Sequence, residues 1–151
     1  MIKKFLFSIF IYIIFLAGSA FAYDAETPIR VGISNTNFST YTFNTAEFYS
    51  DDVLEVTDSA TGESVKISDS SVSVKYENNL FKIYRGQELK LSGLKGPITI
   101  KSGSLIGVSN LKRAGKPAFY RGIIELKPIE NKNDYFAIVN ILDLQNYLKF
   151  L

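Results

Sequence analysis

Two Ser-x-x-Lys quartets stand in this chain, Ser92-Gly93-Leu94-Lys95 and Ser109-Asn110-Leu111-Lys112, with Lys101-Ser102-Gly103 between them. Together they match the elements of a serine acyl-transfer site of the penicillin-binding and β-lactamase type. That chemistry needs the serine at the start of a buried helix, so that the lysine one turn later can take its proton. Gly93, Gly96 and Pro97 favour a turn at the first quartet instead. The Lys-Ser-Gly element also precedes the second quartet and follows the first by six residues, an order that does not build that site. The match carries no acyl-transfer assignment.

Other chemistries fall to composition. The 151 residues contain no Cys, no His and no Trp. There is therefore no disulfide framework, no thiolate or imidazole metal site and no Ser-His-Asp triad. Gly115-Lys116 is not a phosphate loop, because Asn110 stands where the leading glycine belongs and Pro117 follows the lysine. Carboxylates allow glycosidic acid/base chemistry in principle, but none sits in a context that marks it as catalytic. No metal or other cofactor is expected. Lys112, Arg113, Lys116 and Arg121 form a basic cluster that reads as a solvated loop rather than a surface for an anionic polymer. Asn37-Phe38-Ser39 fits a glycosylation acceptor, a triplet common by chance.

The N-terminus is a targeting segment. Lys3 and Lys4 precede the apolar run from Phe5 to Ala17, and the small-residue triplet Ala20-Phe21-Ala22 follows. This order predicts a signal peptide over residues 1–22, cleaved between Ala22 and Tyr23. The alternative is an uncleaved anchor: residues 5–22 carry no charge and as a helix would span about 27 Å, just short of a hydrocarbon core. Either reading places the rest of the chain in the envelope or outside the cell. Loss of Lys3 and Lys4 lowers the Lys and Arg count from 17 to 15, equal to the 15 acids. Residues 23–151 thus carry no net formal charge, which removes the electrostatic case for nucleic acid binding.

The elements behind this leader are predicted to be mainly β with minor α: antiparallel strands and hairpins followed by the start of a C-terminal helix. Ile29, Val31 and Ile33 alternate with polar residues in a first strand. Phe48-Tyr49, Val53 to Val56 and Ser64 to Ile67 are strand-like, the last two separated by a turn at Ser59 to Gly62. Val72, Val74 and Tyr76 share one strand face, and Asn78-Asn79 marks a two-residue hairpin into Leu80 to Arg85. Ile98 to Lys101 is a strand, and Ser102 to Pro117 is expected to be a loop. Phe119 to Lys127 and Tyr135 to Ile141 form two strands across a polar turn at Glu130 to Asn133. The apolar run Phe136 to Val139 predicts a strand buried on both faces. Asp143 fits a helix N-cap, with Leu144, Tyr147, Leu148 and Leu151 on one stripe behind it.

Residues 119–149 resemble the stage II sporulation protein D and LytB amidase-enhancer family. The resemblance rests on Tyr120-Arg121-Gly122 with Ile124-Glu125-Leu126, on Ala137-Ile138-Val139-Asn140, and on Leu144-Gln145-Asn146-Tyr147-Leu148-Lys149. It extends loosely to the strand at Ile29. It implies an envelope protein acting on peptidoglycan, or on the amidases that cut it, in a family that includes lytic transglycosylases. The family's catalytic glutamate follows the Tyr-Leu-Lys stretch, whereas here Phe150-Leu151 end the sequence. Gln145 and Asn146 also replace acids common at their positions. The resemblance therefore implies residues 23–151 as a domain incomplete at its C-terminus, with no catalytic residue to assign. Two expectations follow: a non-catalytic binding module for peptidoglycan or a cell-wall amidase, or an inactive fragment of a transglycosylase. Arg121 and Tyr147 are the contact candidates, set against ordinary roles as a strand-edge ion pair and a core aromatic.

Overall fold

A computed structural model describes residues 28–68, 71–144 and 148. The leader at 1–22, the junction at Ala22 and Tyr23, and Tyr147 lie outside the described residues. So does most of the helix expected from Asp143 onward, of which Leu144 and Leu148 are described and exposed.

Among the described residues, twelve strands form two six-stranded antiparallel sheets. The first sheet runs in the order β1 (Ile29–Ile33), β12 (Phe136–Leu142), β11 (Ile123–Pro128), β8 (Ile98–Lys101), β3 (Leu54–Asp58) and β4 (Ser64–Ile67). The second runs β10 (Lys116–Tyr120), β9 (Ile106–Arg113), β2 (Thr45–Tyr49), β5 (Val72–Glu77), β6 (Leu80–Arg85) and β7 (Glu88–Leu94). The chain changes sheet repeatedly, so both sheets depend on pairing between residues distant in sequence.

Alternation decides which face is inside. Val72, Val74 and Tyr76 of β5 and Phe81 and Ile83 of β6 are buried, as are Leu54 and Val56 of β3 and Ile98 and Ile100 of β8. These residues join one core between the sheets. Phe136 of the first sheet reaches across to Tyr76 and Phe81 of the second, with ring centroids 6.3 Å and 5.5 Å away. Burying large rings from both sides is what holds the layers together. The same layers are tied at one end by Asp134, whose Oδ1 accepts the Asn78 N–H from the opposite sheet's hairpin. Asn78 and Asn79 both have positive φ, as the predicted two-residue turn requires.

Four expectations need correction. Residues 102–117 are not a loop: they contain β9 and the start of β10, joined at Ala114-Gly115, both with positive φ. Phe119 to Lys127 is not one strand. It breaks at Arg121-Gly122, where the chain passes from β10 in one sheet to β11 in the other. The strand at Phe136 is buried on one face only, with Phe136, Ile138 and Asn140 inside and Ala137 and Val139 half-exposed. The first Ser-x-x-Lys quartet lies largely on β7 rather than in a turn; Gly93 has φ +77° there, at an irregularity in the β6–β7 pairing. The second quartet lies on β9, so neither can place its lysine one helical turn from its serine.

A buried tyrosine, Tyr76, and a half-buried one, Tyr120, give the fold an alkaline limit. Burial, with the charge of Asp134 adding to it, pushes the Tyr76 phenol above its ordinary value. Burial also raises Tyr120, against the opposing pull of the Arg113 guanidinium. The folded state therefore holds these protons more tightly than the unfolded chain, a contribution fully present below about pH 10 and lost as pH rises beyond it. In an alkaline titration followed by phenolate absorbance, two tyrosines are expected to ionise last and together with loss of the β-sheet signal. Ionisation of all tyrosines before any unfolding would contradict this.

Candidate functional site

β9 is irregular where it runs between β2 and β10. β2 and β9 are in register at Phe48–Val108 and Tyr49–Gly107. On its other side β2 pairs with β5 from Thr45 to Phe48. β9 and β10 pair at Lys112–Pro117 and next at Val108–Ala118. Residues 109–111 thus stand opposite no residue of β10. This is a bulge on the β10 side, the device by which a strand is bent locally.

Beside this bulge lies a cleft of about 310 Å³. Its floor is apolar, with Phe43, Ala46, Val108 and Leu111 reaching toward the core. Its rim on the outer face is polar, with Thr45, Glu47, Ser73 and Ser109. Glu47 is half-buried and accepts a hydrogen bond of 2.6 Å from the Ser71 hydroxyl. Among the described ion pairs none involves Glu47.

On the same face, two residues along β2 from Glu47, lies an aromatic pair. Gly107 lies so close beneath the Tyr49 ring that a Cβ there would come within 2.3 Å of Tyr49 Cζ. The ring therefore lies against bare backbone and is held in place by it. Phe119 of β10 packs edge-on against Tyr49, with centroids 5.5 Å apart and planes at 75°, and is itself 49% exposed. Two rings from strands on either side of β9 thus make an apolar platform on the outer face, beside the polar rim of the cleft, with Tyr49 held by the Gly107 backbone and Phe119 half-exposed. A ring already held in place loses little entropy when it contacts a ligand.

The expected contact residues are not brought to this site. Arg121 is exposed, at the crossing between sheets, and its carbonyl accepts a 2.6 Å hydrogen bond from Asn140 Nδ2. Tyr147 is outside the described residues. The basic cluster also separates: Lys112, Arg113 and Lys116 flank the β9–β10 hairpin turn, while Arg121 lies past the other end of β10. Arg113 is used internally. Its Nη2 donates to the Ser34 carbonyl at 2.7 Å, and its guanidinium lies 4.9 Å from the centre of the Phe38 ring. The hairpin is thereby fastened to the segment after β1.

Four of the described carboxylates are engaged in separate ion pairs. Glu55 pairs with Lys66, Glu77 with Lys82, Glu88 with Lys90 and Glu125 with Arg30. Their hydrogen-bonded lysines hold Glu77 and Glu88 below the usual carboxylate range, the opposite of what a general acid requires. No cluster of three or more acidic residues suited to a metal occurs among the described residues. No helix among them is long and apolar enough to cross a membrane. Comparison with family models, characterised proteins and solved structures finds no match to this chain.

Proposed function

We propose that the protein is an exported cell-envelope component that binds the glycan of peptidoglycan and performs no chemistry on it. The observation that carries this reading is the Tyr49–Phe119 platform, with Tyr49 held against Gly107 and Phe119 open to solvent. Sugar rings present an apolar face of C–H bonds that suits an aromatic surface, while their hydroxyls need polar partners alongside. Glu47, Ser73 and Ser109 supply such partners next to the platform. The charged, apolar and small-residue order of residues 1–22 supports export. The resemblance to the sporulation protein D and LytB family supports peptidoglycan as the polymer, and a C-terminal helix beginning after Asp143 belongs to the same reading. Arg121 remains a secondary contact candidate through its exposure.

Sedimentation with purified sacculi tests the proposal. The purified protein is expected to pellet with intact sacculi, to be released when a muramidase fragments the glycan, and to liberate no muropeptides itself. Failure to pellet rejects glycan binding; muropeptide release rejects the non-catalytic assignment.

A further inference from the structure

The most exposed large apolar side chains of the described fold stand at one turn, beside a hairpin whose only charges are positive. Phe38 is 66% exposed and Tyr41 57%, more than any other large hydrophobic residue described. Phe38 lies within the turn that follows β1, and Tyr41 comes directly after it. The turn is closed by the Asn35 N–H, which donates to the Thr40 carbonyl at 2.9 Å. Asn35 Oδ1 accepts the Ser39 N–H at 2.8 Å from within. Phe38 sits there at φ +57°, its N–H donating to the Asn35 carbonyl at 3.1 Å. A bulky residue seldom adopts that conformation. The turn fixes it, so the exposure of the Phe38 ring is built into the backbone.

The β9–β10 hairpin lies against this turn. The Lys112 N–H donates to Thr36 Oγ1 at 3.1 Å, and the Arg113 guanidinium lies 4.9 Å from the centre of the Phe38 ring. Arg113 itself is engaged by the Ser34 and Asn35 carbonyls. Lys112 and Lys116 are exposed on either side of the Ala114-Gly115 turn, and none of the described ion pairs involves them. Neither segment supplies an acid of its own: residues 34–46 and 103–124 contain no Asp or Glu. A soluble polyanion would engage the lysines and leave the two aromatic rings in water. A bilayer interface takes both, since aromatic rings settle at the headgroup level while lysines reach the lipid phosphates. We propose that this corner docks on the surface of an anionic phospholipid bilayer, Phe38 and Tyr41 entering the headgroup layer and Lys112 and Lys116 pairing with lipid phosphates. The surface uses none of the residues of the glycan platform, and the inference does not rest on glycan binding.

Co-sedimentation with sucrose-loaded vesicles tests this. The purified exported protein is expected to bind phosphatidylcholine vesicles containing about one quarter phosphatidylglycerol at least about tenfold more tightly than vesicles of phosphatidylcholine alone. Phe38→Asn removes the ring and leaves a residue that tolerates positive φ, so its melting curve is expected not to fall. It is expected to weaken binding to the anionic vesicles about tenfold, as is the double variant Lys112→Gln/Lys116→Gln. Binding to both vesicles alike, binding to neither, or a folded Phe38→Asn variant that binds undiminished would each overturn the proposal. So would soluble polyphosphate binding as tightly as the anionic vesicles at equal phosphate concentration, which would make the corner a site for an anionic polymer. A dimer in sedimentation equilibrium that Phe38→Asn dissociates would overturn it too, making a second copy the occupant. None of these outcomes bears on sedimentation with sacculi, so the two readings fail separately.

Discussion

Asp58→Ala is expected to lower the stability of the fold by about 3–5 kcal/mol, through the loss of one carboxylate. Asp58 is fully buried at the end of β3. Its Oδ1 accepts the Ala60 N–H at 2.9 Å and the Gly96 N–H at 3.1 Å. Its Oδ2 accepts the Lys95 N–H at 3.1 Å and the Thr61 hydroxyl at 3.2 Å. One side chain thus satisfies three backbone donors and a hydroxyl, in two connections: the β3–β4 turn and the link from β7 to β8. The second link joins the two sheets, so Asp58 holds both the local turn and the passage between layers. Alanine leaves those donors facing a small cavity.

Against a total of about 5–15 kcal/mol for an ordinary domain, such a loss is a large fraction. A thermal or urea melt measures it directly. Asp58→Asn keeps one acceptor oxygen but turns an NH₂ toward an N–H donor, and is expected to cost about half as much. A loss under about 1 kcal/mol for the alanine variant would show that water replaces the carboxylate and that the knot is not structural.

Gly122→Ala is the second large effect, and its cause is steric. Gly122 has φ +82°, and a Cβ there would lie 2.3 Å from the Ile141 carbonyl oxygen and 3.2 Å from Leu142 Cβ. The left-handed backbone alone costs an alanine about 1–2 kcal/mol. The collision with backbone adds to that, because a strand carbonyl in the β11–β12 ladder cannot swing aside as a flexible side chain can. A total of about 3 kcal/mol or more is expected. Gly62→Ala is the matched control: its φ is +79°, but nothing lies within 4 Å of a Cβ. It should cost only the backbone part, about 1–2 kcal/mol. Equal losses at the two positions in chemical denaturation would show that the contact with Ile141 contributes nothing.

Gly122 also explains part of what was legible in the sequence. Tyr120-Arg121-Gly122 and Val139-Asn140 are recognisable as motifs, and in the fold they meet. Asn140 is buried and donates to the Arg121 carbonyl, while Gly122 passes close under Ile141. These residues build the crossing from one sheet to the other, a structural task. The strands with clean alternation and a clear turn, such as Val72–Glu77, Asn78-Asn79 and Leu80–Arg85, were equally readable.

What was not readable depends on partners remote in the chain. β9 alternates only at Ile106 and Val108 before its bulge resets the phase at Leu111, so its sequence lacks a sustained period of two. β7 contains a glycine at an irregularity in its pairing, and glycine in sequence signals a turn. The cleft has no local signature, since its lining comes from β2, β5 and β9, which are distant in the chain. Tyr49 and Phe119 are seventy positions apart, and the sheet register alone makes them neighbours. Arg121, chosen from the motif, marks the crossing between sheets instead of the platform.

The central claim is that this outer face, through Tyr49 and Phe119, binds peptidoglycan glycan. Its most direct test is sacculus sedimentation of the double variant Tyr49→Ala/Phe119→Ala beside the unsubstituted protein, with melting curves establishing that both are folded. The account predicts that the unsubstituted protein pellets and that the double variant stays in solution, its affinity reduced at least about tenfold by the loss of two stacking rings. A folded double variant that pellets as well as the unsubstituted protein would contradict it.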